Sequence, residues 1–118
     1  SQTGTVEPPQ VFVPPTLTFR LELKDEQQLI IDNNEPESVF VRFKSTSSLI
    51  SVPQGKHEME PRERFAFNCI NEGVSSLPIR GTAAGSLPAK IKVYYRKATE
   101  NAYTKAEVAV QFLVTRKN

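Results

Sequence analysis

The sequence of 118 residues contains one cysteine, Cys69, and one histidine, His57. A single cysteine excludes a disulfide framework and a zinc site made of cysteines. There is no glycine-rich phosphate-binding loop, and no His/Asp/Glu group has the spacing of a metal site. No apolar run approaches the roughly 18 residues that span a bilayer. We therefore expect no cofactor, no bound metal and no direct insertion into a membrane.

The formal net charge is only +2, which makes non-specific nucleic-acid binding a poor expectation. This small value hides an asymmetry along the chain. Residues 1–63 carry six Lys or Arg against ten Asp or Glu, a net −4, whereas residues 87–118 carry seven against two, a net +5. Such a chain can present opposed charged surfaces, although both sets of charges can equally be solvated.

The first residues do not resemble a secretory signal, and the sequence has no Asn-x-Ser/Thr glycosylation site. Together with the lone cysteine inside an apolar run, these features favour a reducing, cytoplasmic setting.

Short runs of alternating apolar and polar residues dominate the chain. They are separated by turn residues, and no segment has a helical apolar stripe over ten residues. The seven or eight runs predict an all-β fold, an antiparallel immunoglobulin-like β-sandwich. Residues 1–10, rich in proline and small polar residues, are expected to form a flexible N-terminal tail, and residues 11–118 a single domain. Residues 77–80 could add a short strand. One core is expected to contain Val41, Phe43, Phe65, Phe67, Val110 and Phe112.

No residues give strong support to catalysis. A pair of Cys69 and His57 is conceivable, but Cys69 alternates with aromatic residues and is more simply a buried, inert thiol. His57 is expected to be a solvated side chain in a turn. The nearby acidic and basic residues are expected to be a surface turn rather than an acid–base pair; they are Glu58, Glu60, Arg62, Glu63 and Arg64.

The stretch "KIKVYYRK", residues 90–97, gives the most specific functional hypothesis. If it is a strand, Ile91, Val93 and Tyr95 face the core, and the other face is a candidate partner-binding stripe of Lys90, Lys92, Tyr94 and Arg96. Tyrosines among cations also suggest single-stranded nucleic acid, but the acidic first half disfavours it. The stripe is either a solvated face or the receiver of an acidic peptide or an acidic surface of another copy.

Four segments occur in an order that resembles the major sperm protein (MSP) domain family. They are "PPTLTF" at 14–19, "QLIIDN" at 28–33, "VFVRFKST" at 39–46 and "MEPRE" at 59–63. The resemblance implies a seven-stranded immunoglobulin-like sandwich of the PapD-like type and no enzymatic activity.

The same resemblance implies protein partners, and three roles stay open. Family members self-assemble, as in the filaments that drive nematode sperm crawling, so a homo-oligomer and a role in cytoskeletal assembly or scaffolding form the first hypothesis. Others are adaptors of the endoplasmic reticulum membrane that capture acidic, phenylalanine-containing peptides. Their site uses a Lys-x-Met pair, which Lys90 and Lys92 resemble with Lys92 in place of Met, and an earlier Lys where this sequence has Ile30. Centrosomal or ciliary scaffolding is the third.

Overall fold

The computed structural model describes residues 8–21, 24–73 and 89–113. Within this part of the chain every regular element is a β-strand, and two sheets pack across one core. No helix in these residues has the length and apolar character that crossing a bilayer requires. The nine strands are β1 (Val11–Phe12), β2 (Thr16–Arg20), β3 (Asp25–Asn33), β4 (Val39–Ser45), β5 (Ile50–Ser51), β6 (His57–Met59), β7 (Arg64–Asn71), β8 (Lys90–Lys97) and β9 (Thr104–Leu113).

One sheet has four strands in the order β1-β3-β7-β5, and the other has five in the order β2-β9-β8-β4-β6. All neighbours are antiparallel except β2 and β9, which are parallel. Between β1 and β2 the chain contains Pro14 and Pro15, which lack the N–H group needed to continue a ladder, so the N-terminal segment divides between the sheets. The fold is the predicted sandwich, with nine strands among the described residues instead of seven and one parallel pair.

The core is built from side chains that alternate along the strands of both sheets. Phe19 of β2 is fully buried, and its ring centroid lies 6.4 Å from that of Phe112 of β9. The other fully buried apolar side chains include Leu29, Ile31, Val39, Val41, Met59, Ile91, Val93 and Val108.

Five of the six predicted core residues contribute to this core. Three are buried and two are partly buried against it, in the order Val41, Phe67, Val110, then Phe43 and Phe112. The prediction for Phe65 was wrong, because its side chain is 47% exposed. Phe65 lies near the start of β7, and β5 pairs only with the far end of that strand. Residues 77–80, the possible additional strand, lie outside the described residues.

The N-terminal boundary has a defined contact. Pro9 is buried, and the main-chain N–H of Gln10 donates a hydrogen bond to the Glu35 carboxylate. Pro9 and Gln10 of the predicted tail thus contact the domain, whereas residues 1–7 lie outside the described residues.

The prediction that His57 is a solvated turn residue was also wrong. His57 begins the short strand β6, and its ring packs edge-on between two core aromatics. The ring centroids lie 6.0 Å from Phe43 and 5.5 Å from Phe67. The turn expected around His57 therefore contains a strand, β6, which forms one edge of the five-stranded sheet.

Candidate partner-binding face

Strand β8 separates its side chains as the alternation predicts. Ile91, Val93 and Tyr95 are buried, and the outward side carries Lys90, Lys92, Tyr94 and Arg96. All four candidate residues therefore lie on one outer surface of the five-stranded sheet. Lys90 is exposed, whereas the other three are half-buried by side chains from neighbouring strands.

Those neighbours are β4 and β9, which flank β8 on its two sides. Arg42 of β4 and Lys105 of β9 are in register with Tyr94. Two pairs further along, and on the same face, Lys44 and Glu107 are in register with Lys92. Side chains in such positions are direct neighbours across the sheet. We call this surface the basic face; it consists of Phe40, Arg42, Lys44, Lys90, Lys92, Tyr94, Arg96, Tyr103 and Lys105.

Aromatic rings and cations are stacked at one end of the basic face. The Arg96 guanidinium carbon lies 4.8 Å from the centroid of the Phe40 ring and 5.4 Å from that of Tyr103. The ammonium of Lys56 lies 4.5 Å from the Phe40 centroid. Arg96 also donates hydrogen bonds to the carbonyls of Lys97 and Glu100, at 3.3 and 2.7 Å. These contacts hold Arg96 in place and leave Tyr103 partly exposed beside it.

The charged side chains on the central strands of this surface are predominantly positive. The outward side chains of the described strands β4, β8 and β9 include six cations and one carboxylate, Glu107. Glu107 lies 3.3 Å from the ammonium of Lys90 and 3.6 Å from that of Lys105. The hydrogen bond from Lys90, followed by its charge and that of Lys105, lowers the pKa of the Glu107 carboxyl. Glu107 thus offsets part of the charge of two cations, whereas Lys44, Lys92 and Arg42 form no ion pair within the described residues.

A shallow recess of about 350 Å³ lies within the basic face. Its lining consists of Arg42, Phe43, Lys44, Tyr94 and Tyr103. Hydrogen bonding from Arg96 lowers the pKa of the Tyr103 phenol, and hydrogen bonding and charge from Arg42 act in the same direction. The recess therefore combines flat aromatic surface with cationic donors, a combination suited to an acidic ligand that also carries an apolar or aromatic group.

Sequence reasoning found the β8 residues of this face but missed those of β4. Their signal was present, because "VFVRFKS" alternates and places Phe40, Arg42 and Lys44 opposite the buried Val39 and Val41. The missing information was that β4 lies next to β8.

Ile30, the position that the resemblance assigned to an additional lysine, does not join the basic face. It is 41% exposed on β3, in the four-stranded sheet, so it lies on the opposite outer surface of the sandwich from Lys92. The cations that accompany the β8 lysines come from β4 and β9 instead.

The residues considered for catalysis are placed differently. Cys69 is fully buried, and desolvation raises the pKa of its thiol to about 11, so it is almost entirely an unreactive thiol at neutral pH. Glu60 and Glu63 form a surface turn in which the Glu63 carboxylate accepts a hydrogen bond from the Glu60 N–H at 2.7 Å. No cluster of three or more metal-ligating side chains occurs in the part of the chain that the structure describes.

No protein-family model matches the sequence. No curated protein matches it either.

Solved structures do resemble the fold. An MSP family member of C. elegans, WR4, has a TM-score of 0.66 at 14% identity and covers 89% of this chain and 99% of its own. The PapD-like domain 7 of human CEP192 has a TM-score of 0.60 at 12% identity and covers 98% and 94%. The E. coli chaperone DraB has a TM-score of 0.64 at 7% identity, and the match covers 88% of this chain and 54% of the chaperone. These likenesses, together with the two-sheet topology, show that the chain has the immunoglobulin-like sandwich fold of MSP and PapD-like domains.

Proposed function

We propose that this chain is a non-catalytic protein-interaction module whose basic face binds an acidic segment of another protein chain. The observation that carries the proposal is the set of six outward cations against one carboxylate on three adjacent strands. Folding does not require this arrangement, because the core side chains of the same strands already supply the buried surface.

The repulsion among the cations supports a binding role. Lys44 and Lys92 are directly opposite each other in the sheet, and like charges in such positions are mildly destabilising. An acidic ligand would remove this repulsion and would gain hydrogen bonds from Arg42 and the two lysines. The half-buried ring of Tyr94 would supply flat contact area between them.

Scaffolding or cytoskeletal assembly is the first role that we propose for such a module. The acidic ligand would then be a surface of a second copy, and the first half of the chain carries the acidic excess that this requires. The similarity to an MSP family member over nearly the whole of that domain favours this role.

An adaptor that captures acidic peptides from other proteins is the second role, and the aromatic recess favours it. A centrosomal or ciliary scaffold is the third, which the similarity to the PapD-like domain of human CEP192 favours. In all three roles binding is steered by charge and weakens as salt shortens the Debye length below about 10 Å.

The test combines sedimentation velocity with peptide binding. The wild-type chain would be sedimented over a range of concentrations and titrated with a labelled acidic peptide that contains one phenylalanine, each at about 0.05 M and about 0.5 M salt. Self-assembly predicts a mass that rises with concentration, whereas an adaptor predicts a monomer that binds the peptide. Both interactions should weaken at the higher salt.

The decisive variant is Lys44→Glu with Lys92→Glu. It exchanges one like-charged pair for another, so the chain should stay folded. The affinity for the acidic ligand should fall by about tenfold or more, because exposed ion pairs contribute about 0.2–1 kcal/mol each and charge reversal also adds repulsion. The matched control is Arg20→Glu with Arg62→Glu, two exposed cations outside the basic face. The control changes the net charge equally, so equal loss in both variants, or no loss in either, would refute the proposal.

A further inference from the structure

Strand β7 has a neighbour along only part of one side. On its first side β3 pairs with it over eight residue pairs, from Asn71 to Arg64. On its second side β5 pairs with it only at Ile70 and Asn71. Among the described residues, no strand lies beside the remainder of that edge.

The open edge exposes main-chain hydrogen-bonding groups. At the paired end, the carbonyl of Asn71 accepts a hydrogen bond from Lys24 on the β3 side, whereas the N–H of Glu72 donates to Leu49 on the β5 side, both at 2.7 Å. Main-chain groups alternate in direction along a strand. Ala66 and Asn68 therefore direct their N–H and C=O groups away from β3, to the side where β5 has ended.

A groove of about 390 Å³ lies next to this open edge. It has the volume of a ligand site and is mainly apolar. Side chains of both faces of β7 contribute to it, and so does the connection between β5 and β6. The lining residues are Ser51, Val52, Pro53, His57, Phe65, Ala66, Phe67, Asn68 and Ile70.

Two aromatic side chains of the lining are incompletely packed or incompletely hydrogen-bonded. Phe65 is 47% exposed although its ring lies 4.7 Å from that of Phe67. The Nε2 atom of His57 is buried without a hydrogen-bond partner in the described part of the chain. A bound segment would cover the exposed Phe65 ring. A buried polar atom without a hydrogen-bond partner, such as His57 Nε2, is rare in a folded protein.

We propose that an extended segment of a partner protein binds here by adding to the four-stranded sheet as a strand beside β7. Its main chain would pair with Ala66 and Asn68, and its side chains would alternate onto the two faces of the strand. Because the described lining residues include no Lys, Arg, Asp or Glu, the complementary side chains are uncharged and apolar at alternate positions. Val52 and Pro53 form the side of the groove that faces β7. A single extended strand fits between them and β7, whereas the edge of a second folded sheet would clash with them.

This binding site is additional to the one in the proposed function. It lies on the other sheet from Lys92, and its ligand is recognised by main-chain pairing and apolar side chains instead of acidic charge. Reversing Lys44 and Lys92 should therefore leave binding at the β7 edge unchanged. The two sites would let one domain hold two partner segments of different chemistry.

The probe is a synthetic peptide of alternating valine and threonine with a lysine at each end, added to the isotopically labelled chain. Hydrogen exchange of individual amides is followed by NMR. Without peptide, the Ala66 and Asn68 amides should exchange rapidly, whereas the Phe65 and Phe67 amides should be protected by β3. With peptide, exchange at Ala66 and Asn68 should slow by at least about tenfold, which corresponds to populated strand pairing. The control peptide is N-methylated at every residue and should have no effect.

The variants Ala66→Pro and Asn68→Pro each remove one N–H that points away from β3, at positions where edge strands tolerate proline. Each should weaken peptide binding by about tenfold, whereas Ala66→Ser should bind as the wild type does. Retained protection of the amides that bond to β3 shows that a variant is folded, and Phe65→Ser gives a second loss of binding without a backbone change.

Absence of protection at Ala66 and Asn68 with millimolar peptide would overturn the proposal, because this peptide has both the unmethylated main chain and the alternating apolar side chains that the groove is proposed to bind. Equal effects of the two peptides would overturn it too. If these amides are protected without peptide and lose protection on dilution, the occupant is a second copy, and the partner-strand proposal is wrong.

Discussion

Replacing Asn33 with alanine should destabilise the fold by about 2–5 kcal/mol. The Asn33 side chain, at the end of β3, is 1% exposed and joins three segments. Its amide nitrogen donates to the carbonyls of Glu37 and Glu60 at 3.0 and 2.9 Å, and its carbonyl accepts from the N–H of Glu35 at 2.9 Å. Each buried main-chain group left unpaired costs about 1–3 kcal/mol, and some access of water at the exposed Glu60 reduces the sum.

The variant Asn33→Asp tests the direction of these bonds. At neutral pH a carboxylate oxygen would face two carbonyl oxygens, so the loss should exceed that of Asn33→Ala. Burial raises the folded-state pKa of such a carboxyl above its unfolded value of about 3.9. The folded state then binds the proton more tightly than the unfolded state, so the penalty should shrink as the pH falls through the raised pKa.

Urea denaturation followed by tyrosine fluorescence measures these changes, since the chain has three tyrosines and no tryptophan. Asn34→Ala is the control, because the exposed Asn34 bonds to Gln10 through its main chain and should lose less than about 0.5 kcal/mol. A loss below about 1 kcal/mol for Asn33→Ala, or wild-type stability of Asn33→Asp at neutral pH, would refute the reasoning.

Three further predictions concern the core and one ion pair. Phe67→Ala should cost about 3–5 kcal/mol in urea denaturation because the side chain is 3% exposed, whereas Phe65→Ala should cost about 1 kcal/mol; equal losses would contradict the assigned burial. Cys69 should react with a maleimide at neutral pH only after denaturation, since it is buried and has a pKa of about 11. Hydrogen bonds from Lys24 and Ser51 lower the pKa of Glu72. The ion pair of Lys24 and Glu72 should therefore stabilise the fold above the unfolded-state pKa of Glu72, and this stabilisation should be lost as the pH falls through the lowered folded-state pKa. The difference in unfolding free energy between wild type and Lys24→Met should then vanish in acid. A difference that stays constant with pH would show that the pair does not act through charge.

The sheet faces could be predicted from the sequence with good accuracy. The alternation of "KIKVYYRK" places Ile91 and Val93 inside and Lys92 outside, as the structure does. The same holds for Leu17 and Phe19 on β2. This success has a local cause, because successive side chains in any extended segment point to opposite faces.

Local alternation was misleading where an element ends or a turn packs inward. Phe65 alternates with Phe67 and Cys69, yet it extends beyond β5 and stays exposed. His57 has charged neighbours in the sequence, yet its ring packs against Phe43 and Phe67. In both cases the side chain's surroundings come from distant parts of the chain, which a local pattern does not contain.

The sequence by itself determined that the chain is all-β, which side chains share a strand face, and that β8 has a basic side. Only the tertiary structure decided that β4 and β9 flank β8, so that Arg42 and Lys105 meet Tyr94. It also decided that Ile30 lies on the opposite surface and that β2 runs parallel to β9. The physical reason is that alternation follows from the geometry of one strand, whereas strand order follows from pairing and core packing between segments far apart in the sequence.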